Sequence, residues 1–163
     1  MATDKDKYLE YLIEEYSDTI YRLAMSRTRN KEVSEDVYQE VFLRLAKKIP
    51  EFESKEHEKA WMIRVTINCS KTILSSKHLK SNAELKENDS IILDEADEKN
   101  DVYYAVAGLP LKYRTVIYLF YYEGYKIEEM SMILDANVNT VKSWLSRARA
   151  ELKTKIEGGL EDE

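Results

Sequence analysis

The sequence is short of the residues that turn a chain. Average usage would place roughly 7% Gly and 5% Pro in a domain, about twenty residues at this length. Here 163 residues hold 4 Gly and 2 Pro. Tight hairpins depend on such residues at their reversals, so sandwiches and barrels are excluded and an all-α chain is expected. Cysteine is nearly absent: Cys69 stands alone, which rules out an internal disulfide and fits a reducing compartment. Long apolar runs are missing too. The longest, VIYLFYY at residues 116–122, falls far below the ~20 residues of a membrane helix, so no membrane insertion is expected. The amino-terminal MATDKDKYLE lacks the apolar core of a secretory leader, and a cytoplasmic location is expected. His57, His78 and Cys69 make no metal-ligand spacing. Neither a Gly-rich phosphate loop nor H-E-x-x-H occurs, so the expectation is no enzyme, no metal and no cofactor. An excess of base is also lacking. The 25 Lys+Arg against 31 Asp+Glu leave −6, which as an average counts against a nucleic-acid ligand.

What is present is 34% charged and 44% apolar residues, enough for one ordinary domain or two small ones. The charge is unevenly spread. Residues 59–80 carry Lys59, Arg64, Lys71, Lys77 and Lys80 with no acid, net +5. Residues 81–101, SNAELKENDSIILDEADEKND, hold 2 bases and 8 acids, net −6. Residues 137–156 return to +4 and the tail 157–163 to −4. The acidic stretch reads as a flexible solvated linker, 81–101, between a lobe at 1–80 and another at 102–163.

In the first lobe, Leu9, Leu12, Ile13, Tyr16, Ile20, Leu23 and Ala24 form a helical stripe over residues 8–29. A second helix is expected to open near Ser34 as its cap, with Glu35 and Asp36 in the first turn, and to end before Pro50. Its buried face collects Val33, Val37, Tyr38, Val41, Phe42, Leu45 and Ile49. Opposite lie Asp36, Gln39, Glu40, Leu43 and Lys47. Leu43 is out of place if that face meets only water, although single exposed leucines are common. A third helix is expected over 56–80, capped by Ser54, with a core stripe of Ile63, Thr66, Ile67, Ser70 and Leu74 flanked by Met62 and Ile73. Cys69, at the stripe's edge, reads as a small buried residue. The far side presents Trp61, Arg64, Asn68, Lys71, Thr72 and Ser75. Cations that track a backbone, an aromatic that stacks on a base and an amide that reads a base edge suit single-stranded nucleic acid. The competing reading is that Trp61 packs into the bundle.

In the second lobe, Leu109-Pro110 opens an apolar helix through Val116, Ile117, Leu119, Phe120 and Tyr121, and Gly124 stops it. The tyrosines at 113, 118, 121, 122 and 125 read as packing. A short helix at 127–134, a turn at Asp135-Ala136-Asn137-Val138 and a longer helix from Asn139 follow. Ile127, Met130, Leu134, Val138, Val141 and Leu145 would knit the two, with small Ser131 at their approach. This is a helix-turn-helix pattern. On its second helix, Asn139 and Thr140 suit a cap and a phosphate, Lys142 and Ser143 base edges, and Arg147 and Arg149 phosphates.

Three stretches in order, SEDVYQEVFLRLAKKIPEF, KAWMIRVTIN and LPLKYRTVIYLFYYEGYKIEEMSMILDANVNTVKSWLSRARAEL, resemble the extracytoplasmic-function (ECF) group of the bacterial sigma-70 family. The likeness runs from about residue 8 to residue 155. It implies two small helical domains joined by the linker, acting without catalytic chemistry. The first contacts the β′ clamp of RNA polymerase core and opens the minus-ten promoter element. The second, in reach of the β flap, reads the minus-thirty-five element. Asp36, Gln39 and Glu40 match a D-x-x-Q-E motif that faces the β′ coiled coil, and Leu43 and Lys47 extend that face. Phe52 and the loop after it match the segment that holds a flipped minus-ten base. Trp61, Arg64 and Asn68 match the strand-opening positions, and Lys71 and Ser75 share their face. Thr140, Lys142, Ser143, Arg147 and Arg149 match T-V-[KR]-S-x-x-x-R-x-R, with Asn139 just ahead. Trp144 departs from the pattern, standing where many members carry a basic or small residue. An anti-sigma factor is a further partner the resemblance implies. Two rivals differ in kind: a stand-alone helix-turn-helix regulator, and a sigma mimic that titrates an anti-sigma factor.

Overall fold

The structure, a computed structural model, describes residues 2–80 and 101–161. These residues fall into two compact units, and every regular element in them is a helix. Among the described residues, no helix is long and apolar enough to cross a membrane. Residues 81–100 of the expected linker lie outside the description.

The first unit is three mutually packed helices, α1 (Asp4–Thr28), α2 (Lys31–Lys47) and α3 (Lys55–Lys80). A capping box starts α1: Thr3 Oγ1 accepts the Asp6 N–H at 3.2 Å and Asp6 Oδ2 accepts the Thr3 N–H at 3.1 Å. Arg29, left-handed at φ 53°, ends it. Asn30 then caps α2, its Oδ1 accepting the Val33 N–H at 3.0 Å. The expected cap, Ser34, is instead buried inside α2, its hydroxyl 2.6 Å from that of Thr28. Asn and Ser cap equally well, and the buried partner on α1 takes the serine. Ser54 caps α3 as expected, accepting the His57 N–H at 3.1 Å.

The core joins Leu12, Tyr16, Ile20 and Ala24 of α1 to Val37, Val41 and Leu45 of α2 and to Met62, Val65 and Cys69 of α3. Ile63, Thr66, Ile67 and Ser70 are buried as the stripe requires. Because Val65 and Cys69 are buried as well, α3 hides more than one stripe and keeps a narrow outer face. Arg27 is a buried cation whose Nε donates to Ser70 Oγ at 2.5 Å, and burial pulls its pKa down to about 10.

The second unit comprises α4 (Asp101–Ala107), α5 (Leu111–Ile117), α6 (Ile127–Leu134) and α7 (Val138–Glu161), with α4, α5 and α6 all packed on α7. Pro110 precedes the first turn of α5 as its cap. The expected single helix to Gly124 instead loosens into a π-helical turn at Tyr118–Tyr122, where the Glu123 N–H donates to the Tyr118 carbonyl at 3.1 Å. Gly124, at φ +74°, supplies the stop. Leu109, Val116, Leu119, Met130, Val141, Leu145 and Ala148 form the buried interior. Between α6 and α7, Asp135 is left-handed at φ 51°, and Ser131 Oγ donates to the Ala136 carbonyl at 2.5 Å. Asn137 begins α7, its Oδ1 accepting the Asn139 N–H at 2.8 Å. Asn139 and Thr140 therefore sit inside the first turn, one residue deeper than expected, because an Asx turn reaches the amide two residues on.

Candidate functional site

On α2, Asp36, Gln39, Leu43 and Lys47 are exposed and Glu40 is half-buried. Spacings of three and four residues put them on one face. Glu40 Oε1 pairs with Arg44 Nε at 3.2 Å. Leu43, 57% exposed, projects from the middle of this polar row.

On α3, Arg64, Asn68, Lys71, Thr72 and Ser75 are exposed together with no acid among them. The Thr72 hydroxyl donates to the Asn68 backbone carbonyl at 3.1 Å. Trp61 is half-buried and packs in part against the core. Phe52 meets it edge-on, centroids 5.7 Å apart, and meets the His57 ring at 5.5 Å. The Glu53 N–H donates to His57 Nδ1 at 3.2 Å, which fastens the loop after Phe52 to α3.

On α7, Asn139, Lys142, Arg147 and Arg149 are exposed, and Thr140 and Ser143 half-buried. At ~100° per residue Arg147 and Arg149 lie about 200° apart, on opposite flanks of the outer face. Arg149 Nε donates to Tyr121 Oη at 2.6 Å, and its guanidinium lies 5.0 Å from the Phe120 centroid and 5.5 Å from that of Tyr121. Trp144 is half-buried, with Lys112 Nζ 5.9 Å from its ring centre and 5.4 Å from that of Tyr113. Phe120 and Tyr121, which sequence reading took for packing, and Lys112, which it did not single out, are neighbours of the outer helix. Nearly thirty positions or more separate them from Arg149 and Trp144, and no helical spacing signals so distant a contact.

Two family profiles match the chain: sigma-70 region 2 over residues 12–78 and sigma-70 region 4 over residues 99–152. The chain is 27% identical over 149 residues to RNA polymerase sigma factor SigV of Bacillus subtilis, covering 88% of each. It is 26% identical over 170 residues to ECF RNA polymerase sigma factor SigW of the same organism, covering 94% of this chain and 90% of that one. The chain belongs to the ECF group of the sigma-70 family.

Solved structures agree in fold. The sigma factor RpoE in complex with the anti-sigma factor NepR from Bartonella quintana matches with a TM-score of 0.71 at 21% identity, covering 93% of this chain and 98% of that one. CnrH in complex with the cytosolic domain of CnrY matches at 0.67 and 20%, covering 96% and 92%. In this ECF sigma factor, region 2 corresponds to α1–α3 and region 4 to the helix-turn-helix unit. Its function is that of an RNA polymerase sigma factor, acting on promoter DNA.

Proposed function

We propose that this sigma factor divides its work among three faces. The α2 row of Asp36, Gln39, Glu40, Leu43 and Lys47 docks on the β′ clamp of core polymerase. The α3 face receives the opened minus-ten strand: Arg64 and Lys71 hold phosphates, Asn68 and Ser75 offer hydrogen bonds, and Phe52 and Trp61 take up an unstacked base. On α7, Asn139 and Thr140 meet a phosphate at the helix start, and Lys142 and Ser143 read minus-thirty-five base edges. Arg147 and Arg149 grip the two flanking strands. The division of labour follows the segments 1–80, 81–101 and 102–163, with the second domain also docking on the β flap.

The observation that carries this reading is the pair of acid-free cationic faces, on α3 and α7, in a chain of net charge −6. Polymerase supplies most of the grip on DNA, so the free subunit needs no overall positive charge. The protein performs no bond chemistry of its own and works in the cytoplasm. RpoE is solved in complex with the anti-sigma factor NepR and CnrH with the cytosolic domain of CnrY, and this chain is proposed to have an anti-sigma factor as well. A stand-alone helix-turn-helix regulator leaves the α2 row without a role, and a sigma mimic leaves both cationic faces without one.

The test is transcription from a promoter library by core polymerase of the source organism with and without the purified chain, read by sequencing the transcripts. Start sites that depend on the chain and share two upstream elements are expected. Absence of promoter-dependent initiation overturns the reading.

A further inference from the structure

Among the described residues Glu58 is the one buried acid, 6% exposed, and none of the three faces uses it. It lies in the first turn of α3, where three hydroxyls from α1 converge on it. Tyr8 Oη donates to Oε2 at 2.6 Å, while Tyr16 Oη and Tyr11 Oη donate to Oε1 at 2.7 and 3.2 Å. A carboxylate withdrawn from water is costly unless its lone pairs are met, and hydroxyl donors to an ionised acceptor form the stronger class of hydrogen bond. Burial and the neighbouring carboxylate push the Tyr8 hydroxyl up to about 12 and the Tyr16 hydroxyl upward too, which keeps both protonated as donors.

The aromatic group is built on the same stretch of helix, with Trp61 one turn on from Glu58 and on the same side. Trp61 follows Glu58 by three residues, and His57, just before it, holds the Phe52 loop through the Glu53 amide. First turns of helices fray because their amides lack intrahelical partners. An aromatic that must first be ordered gives part of its stacking energy back as entropy.

We infer that Glu58, clamped by Tyr8, Tyr11 and Tyr16, is a positioning residue for strand opening: it holds the first turn of α3 so that Phe52 and Trp61 are preset to receive an unstacked base. The inference rests on the strand-opening role proposed for Trp61, and its test separates the two.

The full chain is assembled with core polymerase on a promoter from the library that carries 2-aminopurine in its minus-ten element, and fluorescence follows opening. Glu58→Gln and Tyr8→Phe are expected to slow opening about tenfold, the size of one charge-assisted hydrogen bond, with polymerase affinity held within about twofold. Tyr38→Phe is the control, since it removes a hydroxyl bonded to Ser17 at 3.2 Å on the α1–α2 seam. It is expected to lower the melting temperature comparably and leave opening intact. Should Glu58→Gln fail to fold, Tyr8→Phe carries the comparison. Opening that is normal in Tyr8→Phe but lost in Trp61→Ala overturns the inference and leaves the reading standing. Opening slowed equally by Tyr38→Phe reduces Glu58 to general stability and also overturns it. Normal opening in Trp61→Ala removes the strand-opening reading itself.

Discussion

Lys142 and Arg147 stand five residues apart on α7, and the loss of each is expected to look different. Arg147 sits on the flank of the outer face, so Arg147→Ala should weaken promoter binding by the sigma–polymerase complex nearly uniformly across sequences. The salt slope should fall by about 1, measured by filter binding over a salt series. Lys142 is proposed to meet a base edge, so Lys142→Ala should change preference at one base pair by roughly tenfold and leave the slope less affected. Leu43 tests the other interface. At 57% exposure it contributes little to folding, so Leu43→Ala should leave the unfolding free energy within about 0.5 kcal/mol of the parent's and still weaken polymerase binding in a titration. The tyrosines set an alkaline limit. Tyr8 and Tyr125 are raised to about 12 in the fold, against ~10 in an unfolded chain. Between those values the folded state binds more protons, so their stabilisation is complete below pH 10 and is lost as pH rises towards 12. Urea midpoints should fall between pH 9 and 11.5, and Tyr8→Phe should flatten that fall.

The element scale shows where local rules are ambiguous. Residues 30–36 contain both Asn30 and Ser34, each a good cap. Burial of Ser34 against Thr28 decides between them, and α2 gains a turn at its start. Asn30→Ala should therefore cost about 1 kcal/mol of stability in urea unfolding, whereas Ser54→Ala should loosen only the start of α3. The second ambiguity lies in residues 109–124, whose unbroken apolar pattern reads as a single helix. The π-helical turn at Tyr118–Tyr122 widens its last turn and brings Tyr121 to Arg149. Apolar periodicity reports which residues avoid water but does not resolve one extra residue in a turn, so this contact had no sequence signal. The stripe on α1, the end of α2 before Pro50 and the α6–α7 turn were all legible, because each rests on spacing or on one backbone-specific residue.

For the whole molecule, net charge proved a poor guide and its distribution a good one. The acids of 81–101 and of the tail outweigh two cationic helices that carry the contacts proposed with DNA. If those acids screen the free subunit, replacing Glu84, Glu87 and Asp89 by amides should raise its affinity for a random duplex at 50 mM salt. The gain should vanish near 1 M salt, where the Debye length is about 3 Å, as read by fluorescence anisotropy. The sequence by itself determined the all-helical class, the two units, the order of the sigma motifs and the outward side of α2, α3 and α7, since helical periodicity and charge segregation are local properties. Only the tertiary structure decided which charged residues are withdrawn from water and what each is paired with. Glu58 reads in the sequence as one more surface acid. In the fold it accepts hydroxyls from residues 42 to 50 positions away, because α1 packs across the first turn of α3 and excludes the water that would otherwise solvate it.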